Sequence, residues 1–161
     1  MRRRLLLAAA VALAGCGFEL KRPPALNFSK IQLSGFAPRS PLAAELKSSI
    51  DASTTTNVVE AGQGAQAVLQ AITESREKVV VAQTPAAQIR EFELRLRFGF
   101  RLVDATGKVL IPDSEILLTR SLTYTETAAL GKEQEEAFLY RAMQGDIVSQ
   151  VLRRLASVRP L

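Results

Sequence analysis

The sequence predicts an α+β fold: a two-layer sandwich with two helices on one face of a four-stranded mixed or antiparallel sheet, in the order β-α-β-β-β-α. Three observations carry this expectation. Phe92, Leu94, Leu96, Phe98, Phe100 and Leu102 alternate with Glu91, Glu93, Arg95, Arg97, Gly99 and Arg101; strict period two marks a strand with one buried and one charged face. Leu139, Met143, Ile147, Val151 and Leu155 recur every fourth residue, and Phe138, Ala142, Val148 and Leu152 widen the row to a broad helical stripe. A shorter stripe, Leu42, Leu46 and Ile50, follows Ser40-Pro41. A sheet that is wet on one face must bury the other, and two amphipathic helices suffice to cover it.

The elements follow in order. Residues 1–15 form a leader: the positive Arg2-Arg3-Arg4, the apolar run Leu5 to Ala14, and small residues before Cys16. The run is too short to cross a bilayer core, which needs about 20 apolar residues. Its order is that of a secretory signal. The small-small-Cys ending resembles a lipobox, so Cys16 is expected to become the acylated first residue, carrying N-acyl and S-diacylglycerol chains. It is the only cysteine in the chain, and lipidation explains an odd exported thiol that has no disulfide partner. Residues 16–27, with Lys21-Arg22-Pro23-Pro24, read as an extended tether held out of helix by proline. A single domain is expected over residues 28–157, with a tail at 158–161.

Within the domain, Ile31 and Leu33 alternate with Lys30 and Gln32 in a first strand ended by Gly35 and Pro38. Ser40 caps the first helix and Pro41 opens it; the β-branched stretch to Thr56 ends it. Ala65 to Val81 is extended, Gln83 to Ala87 is a turn containing Pro85, and Arg90 to Leu102 is the alternating strand. Asp104-Ala105-Thr106-Gly107-Lys108 turns the chain into a partner strand from Val109 to Thr125. The last helix is expected from Lys132 to Leu155, with Glu133, Glu135 and Glu136 in its first turn and Arg153 and Arg154 in its last, each where the helix dipole favours it.

Composition removes several function classes. There is no histidine, and no thiol remains free after lipidation. Ser-His-Asp and Cys-His nucleophiles and His-containing metal sites are therefore excluded, no cofactor is called for, and the chain is not read as an enzyme. The net charge of +5 falls to +2 once Arg2, Arg3 and Arg4 leave with the leader, so the basic balance reflects export and does not argue for nucleic acid.

The residues Cys16-Gly17-Phe18-Glu19-Leu20-Lys21, Glu91-Phe92-Glu93-Leu94, Asp104-x-x-Gly107 and Lys132-Glu133-Gln134-Glu135-Glu136 together resemble the LPS-assembly lipoprotein LptE family, in order through the mature chain. The resemblance implies a non-catalytic outer-membrane lipoprotein, periplasm-facing and held by its acyl anchor in outer-membrane lipid. It implies a 1:1 partnership with an LptD-type β-barrel, whose lumen the domain plugs, and help in placing lipopolysaccharide in the outer leaflet. Gly17 fits outer-membrane sorting. The family's lipopolysaccharide-contacting cations lie before the long strand and before the last helix. Lys132 matches the second position; at the first this chain departs, with Gln83 to Gln88 in the loop and Arg90 as the nearest cation. The alternative to this reading is a free-standing periplasmic lipid- or glycan-binding module with an apolar pocket of its own and no barrel partner.

Arg95, Arg97 and Arg101 share the wet face of the long strand. Such a row can grip lipid phosphates bidentately; equally, it is a solvated face with cross-strand ion pairs to Glu74, Glu77 or Glu115. Phe98, Phe100 and Leu102 fall on the helix-covered face and are expected in the core.

Overall fold

The structure, a computed structural model, describes residues 24–53, 55–125 and 129–159; the expected leader and Cys16 lie outside them. It contains β1 (Lys30–Ser34), α1 (Pro41–Asp51), β2 (Asn57–Val59), β3 (Ala67–Gln83), β4 (Ile89–Asp104), β5 (Val109–Thr123) and α2 (Ala129–Ala156). The strands form one sheet in the order β2-β1-β3-β4-β5. β1 is parallel to both its neighbours, and the β3–β4 and β4–β5 pairs are antiparallel. The sheet thus has five strands where the sequence predicts four. The extra strand is Asn57-Val58-Val59, too short to display a period of its own and defined only by its pairing with β1.

Local chemistry sets the joints. Ser40 accepts a hydrogen bond from the Ala43 N–H at 3.0 Å and caps α1, with Pro41 next. Gly35 leaves β1 at φ +78°, where an added Cβ would collide with the Ala71 carbonyl, so only glycine fits. In the β4–β5 turn, Gly107 sits at φ +88°. There, Asp104 Oδ1 accepts from the Thr106 N–H and hydroxyl and from the Lys108 N–H, at 2.8, 2.7 and 2.9 Å.

Between the sheet and the helices, Leu94, Leu96, Phe98, Phe100 and Leu102 of β4 meet Leu42, Leu46 and Ile50 of α1 and Met143, Ile147, Val151 and Leu155 of α2, all of them buried. Phe36, Phe98 and Phe100 stack in series, with centroids 5.7 and 5.4 Å apart. One buried polar residue joins the layers: Gln144 accepts from Arg76 at 2.7 Å and donates to Glu45 at 2.5 Å and to the Pro41 carbonyl at 3.3 Å.

Helix α2 departs from expectation in two ways. It begins at Ala129, which moves Glu133, Glu135 and Glu136 out of the first turn, where the dipole acts most strongly. Phe138 and Ala142 lie outside the core, Phe138 being 62% exposed and Leu130, a further two turns toward the start, 81%. The cause is the length of α1. It has only 11 residues, and its first one, Pro41, meets α2 at Gln144, so the N-terminal half of α2 has no described helix beside it. The same shortfall appears in the sheet. β1 pairs with β3 only through Ala67–Gln70, and among the described residues the rest of β3 has a partner strand on one side alone.

Candidate functional site

Two places collect the residues that the sequence singles out. The first is the face of β3, β4 and β5 that the helices leave uncovered. Alternation puts Glu93, Arg95, Arg97 and Arg101 there together, and β5 contributes Asp113, Glu115 and Leu117. The cations are already partnered. Arg95 pairs with Glu93 on its own strand at 2.7 Å, Arg97 with Glu115 across the hairpin at 2.9 Å, and Arg101 with Gln70 at 2.6 Å and Asp113 at 3.9 Å. Of the three acidic partners expected, only Glu115 is used. Glu74 lies on the helix side, where it accepts from the Ser40 hydroxyl at 2.8 Å. All these side chains reach water, so each pair contributes only about 0.2–1 kcal/mol. Ile72, Val81 and Leu117 are exposed apolar neighbours. The arrangement is a ladder of alternating charge with apolar patches.

The second place is the end of the sandwich formed by the β3–β4 turn and the start of α2. Lys132 donates to Thr123 at 3.2 Å and to Glu135 at 2.8 Å. It lines a small cavity of about 170 Å³ with Lys78, Ile89, Phe92, Tyr124 and Glu136. Lys78, which sequence reading missed, sits 4.2 Å above the Phe92 ring and 2.6 Å from Glu136. Arg90 is exposed and does not line this cavity; its carbonyl accepts from the Tyr124 N–H at 2.8 Å. The structure therefore joins Lys132 to Lys78 rather than to Arg90. An anionic ligand entering here would exchange carboxylates for phosphates, since both ammonium groups hold glutamates. Cys16, expected to be the acylation site, lies outside the described residues.

Beside this cavity a wider cleft of about 630 Å³ opens between the free half of β3 and α2, lined by Arg76, Lys78, Glu133, Tyr140 and Arg141. Tyr140 donates to the Glu77 carbonyl at 2.7 Å, and the Arg76 guanidinium lies 5.5 Å from its ring. Burial raises the Tyr140 pKa, Glu136 and Glu77 add to the rise, and Arg76 opposes it. At the opposite end, the Thr106 hydroxyl and then the N–H groups of Lys108 and Thr106 hold the Asp104 carboxyl below its ordinary value. For Asp51 burial acts upward, but the Val58 N–H and Lys47 outweigh it and its pKa is lowered. No cluster of candidate metal ligands occurs among the described residues, and no described helix is long and apolar enough to cross a membrane.

A family model described as LptE, lipopolysaccharide-assembly, matches residues 28–155. Among solved structures, the chain is similar to lipoprotein B of Nitrosomonas europaea, at 32% identity over 88% of this chain and 91% of that one, with a TM-score of 0.73. It shares its fold with rare lipoprotein B of Shewanella oneidensis (21% identity, 80% and 95% covered, TM-score 0.67). The minor lipoprotein of Acinetobacter baumannii has the same fold (21%, 83% and 94%, TM-score 0.66). No curated protein matches the chain.

Proposed function

The chain belongs to the LptE lipopolysaccharide-assembly family, and from that premise we propose that it is a non-catalytic outer-membrane lipoprotein seated in the lumen of one LptD-type β-barrel. There it supports the barrel's assembly and the passage of lipopolysaccharide to the outer leaflet. The observation that carries this reading is the uncovered face of β3, β4 and β5. It is a broad surface of paired charges with exposed Ile72, Val81 and Leu117, and no described element covers it. A barrel lumen is polar and matches the charged ladder, while the apolar residues gain by leaving water. A two-layer domain does not fit an eight-stranded barrel, whose interior is filled by its own side chains; plugged lumens belong to barrels of about 22 strands. The partner is therefore a large barrel. Lys132 and Lys78, at one end of the sandwich, are the cations assigned to the saccharide phosphates.

Pull-down of the tagged lipoprotein from its own outer membranes in mild detergent tests the proposal. A large barrel recovered in equal amount supports it. Recovery of the lipoprotein alone, with the barrel present and unbound, refutes it and leaves the free-standing binder. That alternative needs an apolar pocket, whereas the wider cleft is lined mostly by charged residues and the smaller cavity sets Lys78, Lys132 and Glu136 among Ile89, Phe92 and Tyr124.

A further inference from the structure

The two ends of the sandwich differ in charge. At the end away from Lys132, the starts of β1 and β3, the β4–β5 turn and the C-terminus of α2 come together. Asn27 donates to the Val158 carbonyl at 2.6 Å, and the Ala105 N–H to the Gln66 carbonyl at 3.1 Å. The chain enters the fold here, with Leu26 and Phe28 buried. A cleft of about 760 Å³ opens at this end, lined by Gln66, Thr106, Lys108, Val109, Val158 and Arg159. Lys30, Lys108 and Arg159 are exposed around it, and Arg153 is exposed one turn up the helix. None of these four cations has an ion-pair partner within 4.0 Å among the described residues; at the other end Lys78 and Lys132 are paired and Arg90 is not. Two carboxylates at this end are committed: Asp104 to its turn and Asp51 to Lys47 and the Val58 N–H.

We propose that, before the domain enters a barrel, this end is a docking surface for an anionic lipid leaflet, with Lys30, Lys108 and Arg159 meeting the headgroup phosphates. The occupant follows from chain length. On the reading that Cys16 is acylated, on which this proposal rests, Pro24 lies only eight residues along the chain from the anchored Cys16. Eight residues span at most about 29 Å, so this end, and not the Lys132 end, is confined near the bilayer. Within that range a basic residue close to an anionic surface gains roughly fivefold in partition. Three of them select one orientation, with the long axis of the sheet upright on the membrane. The tether alone would leave the domain free to tumble.

The test uses the acylated lipoprotein in vesicles of phosphatidylcholine alone and of phosphatidylcholine with roughly one phosphatidylglycerol in three. A fluorophore is placed at Ala105→Cys in the near turn or at Ala86→Cys in the far one, and quenched by a headgroup-linked nitroxide lipid. The expected result is several-fold stronger quenching at position 105 in the anionic vesicles than in the neutral ones, with position 86 unquenched in both. High salt, about 0.5 M, should erase the difference by screening. The double variant K108Q/R159Q should weaken it, and K108E/R159E, on the same solvent-facing side chains, should abolish it. Equal quenching at 105 in both vesicles, or no response to either variant, overturns the surface. Stronger quenching at 86 overturns the orientation. Flotation separates the two readings: a protein that floats with neither vesicle lacks the anchor, which refutes acylation and this proposal together.

Discussion

Replacing Gln144 by leucine keeps the volume of the side chain and removes its three hydrogen bonds, to Arg76, Glu45 and the Pro41 carbonyl. Leucine at this position extends the apolar row of α2, so a purely hydrophobic account of the core expects a gain. The geometry here expects a loss. Hydrogen bonds to charged groups contribute about 1.5–3 kcal/mol each, but Arg76 and Glu45 both reach water and recover part of that on their own, and leucine returns about 1 kcal/mol through burial. The net cost is about 1–3 kcal/mol. For a domain of about 130 residues the unfolding entropy near the midpoint is about 0.27 kcal/mol/K, so the midpoint falls by about 4–11 °C. Thermal unfolding followed by circular dichroism, paired with urea titration, measures it. Adding Arg76→Met to Gln144→Leu should recover part of the loss, because removing both partners leaves fewer orphaned groups than removing one. A single variant that melts at or above the wild type would show that the polar link does not hold the layers together.

Phe98→Ala empties a fully buried site between two stacked rings and should cost about 3–5 kcal/mol, read from the urea midpoint at unchanged slope. Tyr140→Phe loses the bond to the Glu77 carbonyl, at about 0.5–1.5 kcal/mol. It should also flatten the alkaline limb of stability: the folded pKa is raised by burial, so the tyrosine's contribution is complete below pH about 10 and disappears as pH rises through the folded value. Urea titrations from neutral to alkaline pH follow it. Arg97→Glu sets a carboxylate against Glu115 on the uncovered face; stability should change by no more than about 1 kcal/mol, while co-purified barrel falls several-fold. Undiminished recovery would move the interface elsewhere.

What the sequence discloses depends on whether the deciding physics is local. The β4 alternation is legible because its two faces meet core and water, and the Ser40 cap and Asp104–Gly107 turn are legible because each satisfies its own backbone. β2 is not, since its three residues are a strand only by virtue of β1 beside them. Phe138 has the right phase for the core but lies beyond the reach of α1, and phase carries no information about how far a neighbouring helix extends. β3 hides its pattern because its helix-facing positions Glu74, Arg76 and Lys78 are polar, bonded to Ser40, Gln144 and Glu136. For the same reason Lys78 could not be placed beside Lys132 from sequence, and Arg90, nearest along the chain, was an imperfect substitute in space.

The half of β3 that no strand covers has a cost during biogenesis. Val80 and Val81 lie on it, exposed, beyond the polar run Thr73–Lys78, and an open strand edge is a template for other chains. A copy without its partner is therefore a self-association hazard that grows with concentration. On the function proposed above, supply of this subunit has to track supply of the barrel, and an unmatched surplus is expected to be cleared.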